Sequence, residues 1–435
     1  MKHLTLPLGA IALALAAPGF AQNIEAIAPA AAGHAPAAMP RAAQRADLPP
    51  IDAVTAGILD TPGVNVANAQ IAAARAQALA LGISPYEPTV TASYLRRSVD
   101  REKTYNEFDV TVARPFRLPG KAALDRRSGQ LGMEVAAARL EDALHQAALS
   151  LSGLWHDWLL AAALHRSDLQ TASIYEAALK AVTRRMQLRD ASQLEVDQAG
   201  AATALAQAQV TSSRMAMERA RATIEVTFPR IPMPPEAPEL TNPELPPEPL
   251  EQLQALVVER SDEIRAASLE ADRLASLYRR ARADRIGDPS IGLRAFSERD
   301  GAERGLGIVG SIPLGRSYRR ASADVAAAQA SAAARELIQV RRSVGTIAQT
   351  DLIEARTRLA GWEANVRAAT SAAEAARRTL RGHALGGIDL TDLLYAQRTA
   401  NEARRAEITA RAEALRALFR LRIDSHTVWA ETHGD

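Results

Sequence analysis

The chain has 435 residues, a formal net charge of +2 and no cysteine. The absence of cysteine excludes disulfides, thiolate metal sites and cysteine nucleophiles. The balanced charge does not indicate a nucleic-acid-binding protein, since the slight arginine excess suits solvated helix faces. Aromatic residues make up only 4% of a chain that is 47% hydrophobic, and alanine supplies much of the difference. Because alanine is the best helix former and allows close approach, the composition predicts long, tightly packed helices.

The first 21 residues have the pattern of a secretory signal peptide. A basic start precedes an apolar run from Leu4 to Ala17, and Gly19 and Ala21 supply the small residues of a cleavage site. The alternative, a membrane anchor, needs a run of about 20 apolar residues. The sequence therefore predicts export, with residues 1–21 removed after Ala21.

Two later stretches lack both helical and strand periodicity. Residues 22–54 are rich in alanine and proline and are predicted to be an extended N-terminal segment. Residues 229–249 contain nine prolines, which cannot continue a helix and favour a stiff, extended strap. This proline-rich strap divides the chain nearly in half, and residues 424–435 are left as a C-terminal tail.

The two halves carry the same landmarks in the same order, about 200 residues apart. Each half has an alternating segment that begins after a proline, a second one that ends in proline, and later a leucine-containing break between charged stretches. The landmarks are Pro88, Pro115 and Leu188 in the first half, and Pro289, Pro313 and Leu385 in the second. The sequence therefore predicts a duplicated unit, with repeats at 55–228 and 250–423.

Each repeat contains two short segments in which apolar and polar residues alternate. In residues 107–114, for example, Phe108, Val110 and Val112 alternate with charged or polar residues. A period of two with one apolar face is typical of a β-strand. The predicted strands are approximately 88–95, 107–114, 289–297 and 305–313, and the charged stretches 96–104 and 298–303 are predicted to be exposed turns.

A long run without proline follows each strand pair and contains a single break. The two runs are 120–228 and 314–423, and their breaks are 188–192 and 385–389. Each run is predicted to be a hairpin of two antiparallel helices of roughly 40–70 residues, and further helices are predicted at 62–82 and 250–284. A helix of 65 residues is about 100 Å long, so it needs partners along its whole length, which alanine-rich seams can provide.

Four strands of this length suit a lipid bilayer, but they cannot close a barrel. Strand edges are not tolerated in lipid, whereas three copies would supply twelve strands, an even number within the known range of about 8–26. The alternative is a small soluble sheet. The predicted fold class is mainly α with a small β part: a duplicated unit of two strands plus a long helical hairpin, assembled into a trimeric 12-stranded β-barrel that continues into an α-helical barrel.

Together these features resemble the TolC, or outer membrane factor, family of outer membrane efflux proteins, over residues 55–423. The most specific pieces are the segment from Leu385 to Gln397 and the strand-to-helix junctions after Pro115 and Pro313. The resemblance implies a homotrimer in the outer membrane of a Gram-negative cell, in contact with its lipid and with a large periplasmic part. It implies a passive exit duct for an inner-membrane pump, of the RND type, joined through a periplasmic adaptor protein.

The resemblance also assigns roles to individual residues at the two breaks. In the family these breaks are the hairpin tips that contact the adaptor, and Gly386 matches the family glycine, whereas Arg189 departs from it. The implied contact residues are Leu188, Arg189, Asp190, Leu385, Gly386 and Gly387. The implied gate, or tunnel entrance, consists of Asp392, Glu195, Tyr395 and Gln198. The alternative for Asp392 is an ordinary exposed helix carboxylate.

The segment from Pro115 to Lys121, followed by Arg126 and Arg127, resembles the heavy-metal (cobalt–zinc–cadmium type) branch of the family. This short motif carries the only indication of a substrate class.

No catalytic, cofactor or metal-binding motif is present in the sequence. His145 and His156 are spaced to share one helix face, but a lone pair falls short of a ligand set, so we interpret them as unrelated helix residues. Trp155 and Trp158 suit core packing better than a membrane boundary, because they lie well inside a long helix. The sequence therefore predicts a non-enzyme; the alternative to a channel is a periplasmic adaptor or a structural coiled-coil protein of the cell envelope, which would not need two hairpins.

Overall fold

The computed structural model of the protein describes residues 47–429. The predicted signal peptide (1–21), most of the predicted extended segment (22–54) and the end of the predicted tail (424–435) lie outside the described residues.

Within residues 47–429 the structure is mostly helical with one small antiparallel sheet, as the sequence predicts. The helices are α1 Ile51–Leu59, α2 Pro62–Gly82, α3 Lys121–Gln187, α4 Gln193–Thr227, α5 Leu250–Glu259, α6 Asp262–Ala283, α7 Ser317–Ala384 and α8 Leu390–Asp424. The strands are β1 Thr89–Ser98, β2 Thr104–Pro115, β3 Ser290–Glu298 and β4 Glu303–Ser311. Two short helices, two strands and a helical hairpin thus follow one another twice.

Several boundaries differ from the predictions. α1 begins at Ile51, inside the predicted extended segment 22–54, because Val54 and Ile58 bury their side chains in the core. The predicted helix 250–284 is two helices, since the Ser261 hydroxyl caps α6 by accepting from the Ile264 N–H at 3.2 Å. α4 and α8 have 35 residues each, fewer than the predicted 40–70.

The first two strands are longer than predicted. β1 continues to Ser98 and β2 starts at Thr104, so the turn between them is shorter than the predicted 96–104. An ion pair of 2.6 Å between Arg97 and Glu107 joins the extended ends of the two strands. Paired charges of this kind let a strand ladder continue through a sequence that reads as a polar turn.

The four strands form one sheet in the order β1-β2-β3-β4, and every neighbouring pair is antiparallel. Val112 lies opposite both Val90 and Leu293, and Leu293 lies opposite Ile308. Directly opposed residues share a face of a sheet, so this register collects most of the large apolar residues of the four strands on one face. β1 and β4 are the two edges.

The main core lies around the middle of α3. Trp155, Trp158 and Leu151 are almost fully buried there, and the two indole rings meet edge to face with centroids 5.0 Å apart. The proline-rich strap covers this core with Ile231 and Leu240. The tryptophans are therefore packing residues. No stretch of helix between residues 47 and 429 has the length and hydropathy of a membrane-spanning segment.

The strap keeps its position through its own carbonyl groups. Proline has no N–H to donate, so the neighbouring helices supply the donors. Arg166 of α3 donates to the Ala237 carbonyl at 3.0 Å, and Arg221 of α4 donates to the Pro234 carbonyl at 2.7 Å. The strap is thus fastened to both helices of the first hairpin.

Candidate functional site: the hairpin tips and the strand-to-helix junction

The first hairpin turns immediately after α3. The Leu188 N–H still bonds to helix carbonyls, Arg189 takes the left-handed conformation with φ 63°, and the Asp190 N–H returns to the Arg185 carbonyl at 2.8 Å. This is the hydrogen-bond pattern of a helix that ends in a left-handed residue. A side chain other than glycine at such a position costs about 1–2 kcal/mol, so the first tip carries backbone strain at Arg189.

The second hairpin makes the same turn with a glycine. Gly386 has φ 77°, and the Gly387 N–H bonds to the Gly382 carbonyl at 2.9 Å. Arg189 and Gly386 are therefore structural equivalents, although the sequence motif at the first tip lacks the glycine. Leu188 and Leu385, one residue earlier, are 66% and 88% exposed, so each tip presents an apolar side chain to solvent.

The helices that leave the tips begin with different caps. Ser192 and Glu195 form a reciprocal capping box, in which the Glu195 carboxylate accepts from the Ser192 N–H at 2.7 Å. This backbone hydrogen bond holds the pKa of Glu195 below its usual value. At α8 the cap is Asp389, whose carboxylate accepts from the Asp392 N–H at 2.8 Å. The carboxylate of Glu195 is thus bound at its own helix start, whereas Asp392 contributes its N–H to the cap and keeps its side chain exposed.

The two tips of one copy pack against each other. Val182 of α3 and Ala199 of α4 share a buried cluster with Leu390 and Leu393 of α8. The structure therefore brings the predicted tip and entrance residues to one end of the helical hairpins. Among the entrance residues Tyr395 is 64% exposed, with the Arg398 guanidinium 5.6 Å from its ring centroid, and Gln198 is half-buried.

A groove of about 550 Å³ runs between α3, α4 and α8 behind the tips. Tyr175, Leu205 and Leu394 line its apolar part. At the end far from the tips, the fully buried Asp168 of α3 forms an ion pair with Arg405 of α8, and Thr171 donates to the Asn401 side chain at 2.8 Å. These links between the two hairpins have no sequence signature, because the partners are 237 and 230 residues apart.

A second polar site lies where the strands meet the helices. Lys121 at the start of α3 is 2% exposed, and its Nζ contacts the Asp288 carboxylate at 2.8 Å, the Ile286 carbonyl at 2.8 Å and the Asp284 carboxylate at 2.9 Å. Tyr86 also donates to Asp288, and burial together with this carboxylate raises the pKa of Tyr86 to about 12. One buried ammonium thus joins the first repeat to the segment before β3.

The same junction contains a second charged set. Asp125 accepts from Arg117 and from Arg280, each at 2.7 Å. Buried charges need partners on all sides, and here both repeats supply them. The motif from Pro115 to Lys121 therefore has a structural role in this chain: Arg117 and Lys121 fix the strand-to-helix junction.

Between residues 47 and 429 no group of three or more His, Cys, Asp or Glu side chains is arranged to hold a metal ion. His145 contacts Asp424 at 2.9 Å, while His156 bonds to the Ser152 carbonyl of its own helix at 2.7 Å. The two histidines thus serve separate contacts.

No protein-family model matches the chain, and no curated protein matches it significantly. Solved structures do. The CmeC outer membrane channel of Campylobacter jejuni is 12% identical with a TM-score of 0.71, over 88% of this chain and 86% of that chain. The outer-membrane channel OprN is 20% identical with a TM-score of 0.72, over 87% and 90%. The outer membrane protein VceC of Vibrio cholerae is 15% identical with a TM-score of 0.67, over 86% and 95%. At these identities the likeness concerns the fold: the chain has the fold of these outer membrane proteins.

Proposed function

We propose that this chain is one third of a passive channel in the outer membrane of a Gram-negative cell. Three copies would close a 12-stranded barrel in the lipid, and their long helices would continue it as a tunnel through the periplasm. The channel performs no chemistry. It gives solutes an exit path. Export is driven by an inner-membrane pump of the RND type, which is joined to the channel through a periplasmic adaptor. The fold likeness to outer membrane channels and the resemblance of the tip motif support this function.

The observation that carries the proposal is the apolar face of the sheet. Nine large apolar side chains share that face and are between 42% and 78% exposed. They are Val90, Tyr94, Phe108, Val110, Val112, Ile291, Leu293, Leu306 and Ile308. Burying such a side chain is worth about 1.5–3 kcal/mol, so nine of them amount to an energy on the order of a whole domain's stability. In a lipid bilayer these side chains would be in contact with hydrocarbon and not with water.

The opposite face of the sheet has the chemistry of a water-filled lumen. Asp109 and Arg294 form an ion pair on neighbouring strands, and Thr111 lies beside them. Alternation between an apolar outer face and a polar inner face is the pattern of membrane barrels. The edges β1 and β4 lack partners within the described chain, and neighbouring copies can satisfy both at once. An antiparallel contact between β1 of one copy and β4 of the next continues the order of the sheet.

Disulfide trapping tests this closure directly, because the chain has no cysteine of its own. Thr91→Cys on β1 is combined in turn with Gly305→Cys, Gly307→Cys or Val309→Cys on β4, all of which point to the polar face. Adjacent strands lie about 4.8 Å apart, within reach of a disulfide. In outer-membrane fractions, oxidation of one combination is expected to yield covalent dimers and trimers, and the same protein is expected to form discrete conductance steps in planar bilayers.

The single-cysteine variants are the controls and should remain monomeric after denaturation. If no combination forms a cross-link while the purified protein still conducts, the proposed closure between β1 and β4 is wrong. If cross-linked trimers form but do not conduct, the assembly is supported and the channel function is not.

Within this proposal Asp392 lines the tunnel entrance together with Glu195, Tyr395 and Gln198, and the two tips meet the adaptor. Three exposed carboxylates around a narrow axis repel one another and favour cations. We therefore expect Asp392→Asn to raise the permeability of anions relative to cations in planar bilayers. Glu195→Gln tests the second carboxylate of the entrance, with a smaller expected change because the Glu195 carboxylate is bound at its helix start. Unaltered selectivity in Asp392→Asn would remove this residue from the entrance.

A further inference from the structure

Ionisable side chains from four helices meet where α8 ends. The C-terminal turn, defined here as residues 425–429, leaves α8 at this point. His426 takes the left-handed conformation with φ 54°, its N–H bonds to the Ile423 carbonyl at 2.9 Å, and the Thr427 N–H returns to the Arg422 carbonyl at 2.9 Å. The turn therefore closes α8 with the same hydrogen-bond pattern as the two hairpin tips.

Apolar contacts fasten the end of this turn to the main core. Val428 is 8% exposed, and the Trp429 ring meets Phe419 edge to face with centroids 4.8 Å apart. The polar contacts of the turn are at its beginning, around His426. Release of the turn would therefore break both the His426 contacts and the Trp429 contact with Phe419.

His426 is stacked on a second histidine. Its ring lies 4.9 Å from the ring of His145 on α3, with an angle of 11° between the two planes. His145 Nε2 contacts Asp424 at 2.9 Å, and His426 Nε2 lies 3.8 Å from Asp262 on α6. Two protonated imidazoles at this separation repel each other, so the stack accepts one proton more readily than two.

Some of the charges around His426 lower its pKa and others raise it. Burial lowers the pKa of His426, and the charges of His145 and Arg260 lower it further, whereas Asp262 and Asp424 raise it. The net direction is downward, so the closed turn favours the neutral imidazole. Once released, the ring takes a proton at its ordinary pKa of about 6.5. Protons thus bind more tightly to the open turn, and each pH unit below that value favours opening by up to about tenfold.

A neighbouring carboxyl pair holds His145 in place without adding to this response. The buried Oδ2 of Asp351 on α7 has no hydrogen-bond partner among the described residues, and its Oδ1 faces Arg420 at 3.2 Å. Burial first, and then Asp424, raise the pKa of Asp351 to about 8, with Arg420 opposing and Glu354 adding to the rise. Burial opposes ionisation of Asp424, but His145 and Asp351 outweigh it and lower the pKa of Asp424. Asp351 therefore stays protonated, and Asp424 stays ionised, as the pH falls from 7 to 5.5.

Two further carboxyl groups face the histidine pair from α3 and α6. Burial raises the pKa of Asp142 and of Glu263, and both groups lie close enough to His145 to feel its charge. Gln146 donates to Glu263 at 3.3 Å and to Asp142 at 3.5 Å. These two carboxyl groups complete the set of ionisable side chains that face the histidine stack from α3 and α6.

We infer that His145 and His426 form an acid-released latch: it holds the C-terminal turn against α3 and α6 at neutral pH and frees it below about pH 6. The latch goes beyond the proposed channel function and does not depend on it. It would give this fold a response to acid at a site remote from the hairpin tips.

Hydrogen–deuterium exchange on the purified full-length protein tests the latch. The amides of Ser425, His426 and Thr427 are bonded to α8 carbonyls, so their exchange reports opening of the turn. After correction for the intrinsic pH dependence of exchange, peptides covering 420–429 should lose at least fivefold protection between pH 7.5 and pH 5.5, in line with one proton. His426→Asn, which tolerates the left-handed conformation and cannot be protonated, should show equal protection at both pH values.

His165→Asn, on α3 but outside the cluster, is the matched control and should behave like the wild-type protein. Equal wild-type protection at both pH values, or a retained pH response in His426→Asn, would overturn the latch. If His426→Asn opens the turn at both pH values, His145→Gln decides. The latch requires a weaker acid response in that variant, because the opposing charge is gone, and an unchanged response would rule it out.

Discussion

The long helices that open the two hairpins have nearly the same length but very different surroundings. α3 has 67 residues, of which 22 are buried, whereas α7 has 68 residues, of which 7 are buried. α3 contacts α2, α4, α6 and α8, and the proline-rich strap covers its middle, while α7 packs mainly against α5, α6 and α8.

This difference shows that two similar repeats can bury very different numbers of residues within one copy. The main core of a single copy lies against the first hairpin, because the strap and α1 pack on it, and α8 of the second hairpin completes this core. The second hairpin keeps open surface along α7, where Val325, Ile338 and Ile353 are exposed. Under the proposed function this surface is where the next copy packs. Core substitutions in α3 should therefore lower the stability of a single copy, and surface substitutions in α7 should lower the yield of trimers.

The largest effect on one copy is expected at the core of α3. Trp158→Ala removes a side chain that is 1% exposed, and a buried large-to-small change of this kind costs about 3–5 kcal/mol. The matched control is Tyr318→Ala on α7, at a side chain that is 82% exposed, where surface changes stay within about 0.5 kcal/mol. Denaturant unfolding measures both, and equal losses at the two positions would contradict the comparison.

The next effect concerns Asp351, one of the few buried residues of α7. Its carboxyl keeps a proton up to about pH 8 in the folded protein, whereas the unfolded chain releases it near pH 4. Folded protein thus binds more protons in this window, so stability falls as the pH rises from about 4 to about 8. Asp351→Asn retains the shape and the donor without this dependence, and should melt at a higher temperature than wild type at pH 8 but not at pH 4.

The exposed Asp324 of the same helix supplies the control for Asp351. Asp324→Asn should not reproduce the gain in melting temperature that Asp351→Asn gives at pH 8. A wild-type slope retained in Asp351→Asn would show that another group causes the dependence.

A smaller effect is expected at the hairpin tips, where the two repeats can be compared position by position. Gly386→Val forces a branched side chain into a left-handed conformation, at a cost of about 1–2 kcal/mol. Arg189→Gly at the equivalent position relieves backbone strain of similar size. The gain in stability is smaller than this strain, because glycine has more conformational freedom in the unfolded chain. Exchange of the tip amides should therefore become faster in the first variant and slower or unchanged in the second.

If the tips act as proposed, Gly386→Val should also impair pump-dependent resistance while trimers still assemble. Wild-type resistance in cells that carry this variant would count against the tip contact but would leave the backbone argument untouched.

The smallest effect on a single copy is expected at Ile338 of α7, which is 46% exposed. Ile338→Arg should change the unfolding of one copy by no more than about 0.5 kcal/mol, yet it should reduce trimer yield, because a charge is costly in an apolar interface. Ile338→Leu is the conservative control and should assemble normally. Full trimer yield in Ile338→Arg would show that this face of α7 is not an interface.

Local features of the sequence were sufficient for the class of fold. Alternation marked the strands around Val110 and Leu293, helical periodicity without proline marked the long hairpins, and the prolines after Thr227 marked the strap. Each of these signals acts within a few residues, which is why it can be read along the chain. The exact ends of the elements could not be read in this way. Tertiary contacts decide that Ile51 is helical and that Ser98 belongs to a strand.

The tertiary structure alone decided the polar contacts and the unequal burial of the repeats. Lys121 bonds to Asp288, 167 residues away, and His145 to Asp424, 279 residues away. A lone charged residue on a helix has the same local pattern whether it faces water or a distant partner. Likewise, alanine-rich helices show almost no difference between buried and open faces, because alanine suits both. The sequence determined that α3 and α7 are long helices, and only their packing decided that the first carries the core and the second stays open.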